Sequence, residues 1–256
     1  MARRIAALYD IHGNLPALKA ALDEAKARDC DAMVFGGDVA SGYMPAETLS
    51  LLMALRPQAR FVMGNADREL IQIWDGGEPP TGFVGDLSAW AARQLNRQQR
   101  DFLASFEPLV EYEVVGVGHV LFCHGTPRSD EEIVTPKTPD EVLAEVLGPI
   151  TADIVVGGHT HIQMERRTGG KRFVNAGSVG MPYGGTGAFW LLLGPDVDLR
   201  QTQYDLETAA AAIRGTRGPG ASEFAAENVL STPTAAEATE VFERQAGRRG
   251  AHQGPV

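Results

Sequence analysis

Seven side chains in this sequence carry donor atoms in settings suited to metal binding: Asp10, His12, Asp38, Asn65, His124, His159 and His161. They fall in short clusters: Asp10-Ile11-His12, Gly37-Asp38, Gly64-Asn65-Ala66-Asp67, His124-Gly125 and Gly157-Gly158-His159-Thr160-His161. Each cluster follows an apolar run that reads as a strand. Strand side chains alternate faces, so residues two apart point the same way. On that reading Asp10 pairs with His12, and His159 with His161, and the ends of parallel strands bring all of them to one crevice. The donors are nitrogen and oxygen only, which suits manganese, iron, cobalt, nickel or zinc. Seven donors exceed the needs of one four-coordinate zinc. They suit two divalent transition-metal ions roughly 3.5–4 Å apart, bridged by a carboxylate. Asp38 is the candidate bridge, since an ionised carboxylate offers two oxygens.

Taken singly, these pieces have plainer readings. Gly-Asp and Gly-Asn-x-Asp are common in turns, because Asn and Asp tolerate turn geometry. Their succession in this order, each after a strand, is what points to a metal centre. His119 reads as a solvated histidine on a hairpin turn, and His252 lies in the tail. Cys123, next to His124, is expected to face the core rather than the metals.

The surrounding elements must hold these clusters together. Ile5 to Leu8, Ala32 to Phe35 and Phe61 to Met63 read as buried strands, with helical stretches after Asn14 and from Thr48 to Leu55. That alternation argues for a largely parallel sheet covered by helices. Asp86 to Phe106 reads as helix broken near Asn96, and Pro139 to Leu147 as a short helix. The later strands come mostly as hairpins: Leu109–Val115 with Val120–Cys123, Met164–Arg167 with Arg172–Val174, and Phe189–Leu193 with Leu199–Tyr204, with Ile154–Val156 between. Two sheets packed face to face, with helices outside, accommodate both patterns.

The chain is 44% hydrophobic and 22% charged over 256 residues, as expected of a soluble globular protein, with no stretch near the roughly 18 apolar residues of a membrane helix. Two cysteines make no disulfide framework, and the apolar run after the basic N-terminus is too short for a signal peptide. A cytoplasmic location and no membrane partner are the expectation. The net charge is -10, and all of the excess precedes Ala210, beyond which five arginines balance five glutamates. An acidic body disfavours duplex nucleic acid, and bound cations would supply the positive charge that a phosphate requires. Gly215 to Gly220 has a linker composition, Ala221 to Gln245 could carry helical turns, and Arg248 to Val256 reads as disordered. The expected division is a domain at 1–205 and an appendage at 206–256, dispensable for chemistry from about Gly218.

Together the motifs Asp10-x-His12-Gly13-Asn14, Gly36-Gly37-Asp38, Gly64-Asn65-x-Asp67, His124-Gly125-Thr126-Pro127, Gly157-Gly158-His159-Thr160-His161 and Asn175-Ala176-Gly177-Ser178 resemble the calcineurin-like metallophosphoesterases, and more narrowly their small prokaryotic phosphodiesterase branch. The resemblance runs from Ile5 to about Tyr204. It implies an α/β fold, a four-layer α/β/β/α sandwich of two mixed sheets. It implies that Asp10, His12 and His161 hold one metal, with manganese the leading candidate, and that Asn65, His124 and His159 hold the other, with Asp38 between. It further implies that a hydroxide bridging the metals attacks phosphorus, with Asn65 catalytic and Asn14 and Asn65 touching the substrate. Small phosphodiesters or nucleotides are the expected substrates, and a homo-oligomer is allowed. Phosphomonoester or phosphoprotein hydrolysis, or a non-catalytic metal-binding scaffold, are the alternatives. The sequence departs from the wider family at Ala66, where many members have a histidine thought to serve the leaving group.

Overall fold

The computed structural model describes residues 1–252, with side chains through Gly247. Three parallel strands open the chain: β1 (Ile5–Leu8), β2 (Ala32–Phe35) and β3 (Ala59–Phe61). Between them lie α1 (Leu15–Ala27) and α2 (Pro45–Leu55). α1 starts where it does because Asn14 accepts the Ala17 amide at 3.3 Å and a proline sits in the first turn, where no amide is needed. Its buried positions, Ala17, Leu18, Ala21 and Ala25, form one helical stripe.

Next come α3 (Asn65–Trp74), α4 (Phe83–Ala92) and α5 (Arg97–Leu103), the last opened at Asn96 by a reciprocal cap with Gln99. β4 (Val110–Val114) and β5 (Gly118–Phe122) form the expected hairpin. α6 (Asp140–Leu147), β6 (Ile154–Gly157), β7 (Met164–Thr168) and β8 (Lys171–Asn175) follow, then β9 (Ala188–Leu193) and β10 (Val197–Thr202). The strands make two five-stranded mixed sheets, ordered β10-β9-β1-β2-β3 and β4-β5-β6-β8-β7.

Strand alternation builds the layers. In β1, Ile5 and Ala7 face Val120, Phe122, Val156 and Val174 of the second sheet, while Ala6 and Leu8 face Leu18, Ala21 and Leu49 of the helices. The outer face of the second sheet, with Leu121, Val155 and Phe173, is covered by Leu143, Val146 and Leu147 of α6. The order of layers is therefore α/β/β/α. Tyr9 spans the two sheets, its hydroxyl donating to the Val156 carbonyl at 3.1 Å.

The helical turns expected from Ala221 to Gln245 are present, and the linker expected from Gly215 to Gly220 is packed down. α7 (Leu206–Gly215), α8 (Ala221–Phe224) and a π-helical stretch, Ala225–Leu230, pack Ala209, Ile213, Ala225 and Val229 against Tyr43. The Tyr43 hydroxyl donates to the Pro219 carbonyl at 2.8 Å, inside the glycine-rich stretch. Small residues there allow close approach to the Tyr43 and Trp90 rings: a Cβ on Gly218 would come within 3.0 Å of Tyr43. α9 (Ala235–His252) then runs back along the body. Of the end expected to be disordered, 253–256 lie outside the described residues, and the α9 backbone continues to His252. Among the described residues, no helix is long and apolar enough to cross a membrane.

Candidate metal centre

The structure places Asp10 and His12 after β1, Asp38 after β2, Asn65 at the first position of α3, His124 after β5, and His159 and His161 after β6. Strand alternation is not what aligns Asp10 with His12 or His159 with His161, because all four lie beyond their strands. A left-handed backbone does it instead. Asp10, His12, Asp38, His159 and His161 have φ of 52°, 47°, 52°, 65° and 57°. Such conformations cost on the order of 1–3 kcal/mol each and persist only where the surroundings enforce them. Here the backbone amides of Asp10 and His12 donate to the carbonyls of Gly37 and Asp38 at 3.1 and 2.9 Å. The His159 amide donates to Asp10 Oδ2 at 2.9 Å, and Ser178 Oγ donates to the Asp10 carbonyl at 2.7 Å. Glycine is required by contact with the carboxylates at two positions: a Cβ on Gly64 would sit 2.2 Å from Asp38 Oδ1, and one on Gly158 2.5 Å from Asp10 Oδ2.

Two groups of donors result, Asp10 with His12 and His161, and Asp38 with His124 and His159, the donor atoms within each lying within 4.8 Å of one another. Three of the histidines are oriented by backbone carbonyls. Nδ1 of His12 donates to Ser41 at 3.0 Å, Nδ1 of His124 to Gly36 at 2.8 Å, and Nδ1 of His161 to Met181 at 2.8 Å. That fixes the tautomer and leaves each neutral Nε2 a bare acceptor aimed inward, the arrangement of metal-binding histidines. Where the rings are neutral, acceptors therefore face acceptors. His12 Nε2 is 3.2 Å from His161 Nε2, and His124 Nε2 is 3.1 Å from Asn65 Oδ1. Asp10 Oδ1 is buried with no well-formed hydrogen bond, 3.3 Å from His161 Nε2, 3.9 Å from His124 Nε2 and 4.0 Å from His12 Nε2. A buried carboxylate oxygen and several inward lone pairs are costly unless a cation sits among them. The residues present therefore fit two divalent ions.

The electrostatics agree. Burial opposes charge on His124, yet Asp38 and Asp10 push it up to about 10. Burial likewise opposes charge on His161, and Asp10 raises it nonetheless. Burial and the neighbouring His124 hold His159 down to about 4, and burial and His161 depress His12. Asp38 and Asp10 stay ionised against burial because these histidines face them. In each group the chain recruits positive charge, which a proton can supply and a divalent cation supplies better.

Asn65 is part-exposed at the N-terminal end of α3, where the helix dipole is positive. Asn14 is placed differently from the expectation. It is buried, its amide nitrogen donates to the Gly180 carbonyl at 3.0 Å and the Tyr204 hydroxyl at 3.3 Å, and its oxygen caps α1. It ties loops together and is not presented to a substrate. Asp67 is also buried, accepting the amides of Asp38, Val39 and Gly64 at 2.8, 3.0 and 3.3 Å. Burial and the Asp38 charge push it up to about 7, against those donors. Its role is to hold the Asp38 loop. Cys123 is buried in the outer core with Leu121 and Leu143. His119 lies in β5 rather than on the turn, with Nε2 2.9 Å from Glu111.

Two aromatic residues at the site were missed in the sequence. Tyr183 stacks on His161 with ring centroids 5.5 Å apart, and Phe242 of α9 lies 6.4 Å from the His159 ring and 6.2 Å from Tyr183. Phe242 lies in the stretch from Gly218 expected to be dispensable for chemistry, and nothing in a local pattern tells where a distant helix docks.

Residues 4–194 match the family model described as the calcineurin-like phosphoesterase superfamily domain. An uncharacterized protein of Methanocaldococcus jannaschii is 26% identical over 241 residues, covering 84% of this chain and 93% of that protein. The phosphodiesterase YfcE of Escherichia coli is 25% identical over 197 residues, covering 73% of this chain and 85% of YfcE. A solved metallophosphoesterase from Sphaerobacter thermophilus superposes with a TM-score of 0.69 at 25% identity, covering 88% of this chain and 99% of that one. With these matches and the two histidine–carboxylate groups, the chain belongs to the calcineurin-like phosphoesterase superfamily and resembles its small prokaryotic phosphodiesterase branch.

Proposed function

We propose that this protein is a dinuclear-metal-dependent phosphodiesterase acting on small phosphodiesters or nucleotides. The observation that carries the reading is the convergence of three carbonyl-anchored histidines on the buried Asp10 Oδ1. Asp10, His12 and His161 would hold one ion, and Asn65, His124 and His159 the other, with Asp38 reaching both. Two bound cations would set about +4 against the two carboxylates, lower the pKa of a water nucleophile and clamp phosphate oxygens. Manganese leads the candidates, with iron, nickel, cobalt and zinc behind it.

The chain's own groups do the rest. The Asn65 amide, at the positive end of α3, can donate to a phosphoryl oxygen as charge builds on it. Asp38 is kept in place by the Ala66 amide, which donates to Oδ1 at 2.8 Å, and by Asp67 behind it. Ala66 itself offers no proton to the departing oxygen. That absence favours diesters with stable leaving groups, and the YfcE likeness points the same way. The test is a screen of nucleotides, dinucleoside polyphosphates, monoesters and diesters with each metal. Diester turnover should exceed monoester turnover with the same leaving group, and the reverse order would overturn the assignment.

A further inference from the structure

We infer that Phe242 and Tyr183 form a binding face for a flat aromatic substituent on the phosphorus-bearing substrate, a nucleobase or another aryl ring. This rests on the phosphodiesterase reading. The pair is fixed beside the metal groups from two sides. The Tyr183 amide donates to the His161 carbonyl at 3.3 Å, and the Tyr183 ring lies nearly parallel to the His161 ring at 18°. α9 is held at its start by a Thr234–Glu237 cap and by the Gly184 amide, which donates to the Pro233 carbonyl at 2.9 Å. Further along, Lys137 pairs with Glu240, and the Thr135 hydroxyl bonds Glu243. Ala238 and Thr239 are buried on the same helix. Phe242 is thereby brought to the His159 ring and crosses Tyr183 at 63°.

His161 belongs to one donor group and His159 to the other, so the two aromatic rings flank both. His12, Asn65 and His159 are the part-exposed members of the ligand set, and Phe242, itself only partly buried, packs beside His159. A phosphate held by the metals would carry its substituent past an aromatic face. Such faces bind planar rings of any identity by stacking. Phe242 meets the rings of His159 and Tyr183, an arrangement suited to recognition of shape rather than of one base.

The test is equilibrium binding by calorimetry to metal-loaded full-length protein, using two ligand pairs. One pair is methylphosphonate and phenylphosphonate, and the other is ribose 5-phosphate and AMP. Wild type should prefer the aromatic member of at least one pair by about 5- to 100-fold, the range set by stacking one ring. Phe242→Leu keeps an apolar anchor for α9 and should lose that preference, with melting temperature and metal content unchanged. Phe242→Trp should retain it. Loss in the phenyl pair alone marks a ring attached directly at phosphorus, and loss in the AMP pair marks a base reached across the sugar. Equal binding of both members by wild type, or an unchanged preference in Phe242→Leu, overturns the inference and leaves the hydrolase reading standing. Failure of every phosphorus ligand to bind overturns both.

Discussion

The Nε2 atoms of His12 and His161 stand 3.2 Å apart, with each ring's Nδ1 committed to a backbone carbonyl. When both rings are neutral they present lone pairs to each other, and without a metal a proton on His161, held against burial by Asp10, must fill the gap. Neither can turn away without breaking its carbonyl bond, so the contact is relieved by a cation. Metal should therefore stabilise the fold. At 100 times the dissociation constant, one site contributes about 2.7 kcal/mol. For a chain of this size that is a rise of roughly 5–10 °C in melting temperature. Calorimetric melting with and without a chelator checks it, and identical melting curves would contradict it.

Asp38 accepts the Ala66 amide through Oδ1, while Oδ2 lies 3.3 Å from His124 Nε2. An amide in its place would keep the shape and lose the charge. Asp38→Asn should bind one metal ion or none by elemental analysis, and kcat on an activated diester should fall about 10²-fold or more. Two ions bound and unchanged turnover would remove Asp38 from the centre.

General acid help is typically worth 10²–10⁴-fold, and neither Ala66 nor the enclosed Asp67 is placed to give it. Plots of log kcat/KM against leaving-group pKa, for aryl and alkyl diesters at saturating metal, should slope steeply downward. Asp67→Asn should lower metal affinity about 10- to 100-fold, as loss of a supporting partner does, and leave that slope unchanged. A flat plot in wild type, with chemistry rate-limiting, would show that another group supplies the proton. A slope that steepens only in Asp67→Asn would show that Asp67 does.

Much of this was legible in the sequence for a physical reason. Ile5–Leu8 and Ile154–Val156 are continuous apolar runs because both faces of their strands are covered. The glycines beside the ligands mark places where a Cβ would strike a carboxylate, as at Gly64 and Gly158. The reason for the alignment of Asp10 with His12 was not legible. Positive φ at non-glycine residues is imposed by tertiary hydrogen bonds, and the residue types alone do not announce it. Asn14 was legible as a helix cap, and burial beneath Gly180 and Tyr204 removes it from the substrate. The stretch from Gly215 to Gly220 has the composition of a linker, but the small Gly218 lets it lie against Tyr43 and Trp90. The docking of Phe242 depends on contacts with residues as distant as Thr135 and Gly184, which no local spacing encodes.

The central claim is that the two donor groups hold two metal ions. Crystals grown with manganese, measured on both sides of its absorption edge, test it most directly. The account predicts two anomalous peaks per chain, one enclosed by Asp10, His12 and His161 and the other by Asp38, Asn65, His124 and His159. A single peak, or peaks outside these residues with the histidine pairs unchanged, would contradict it.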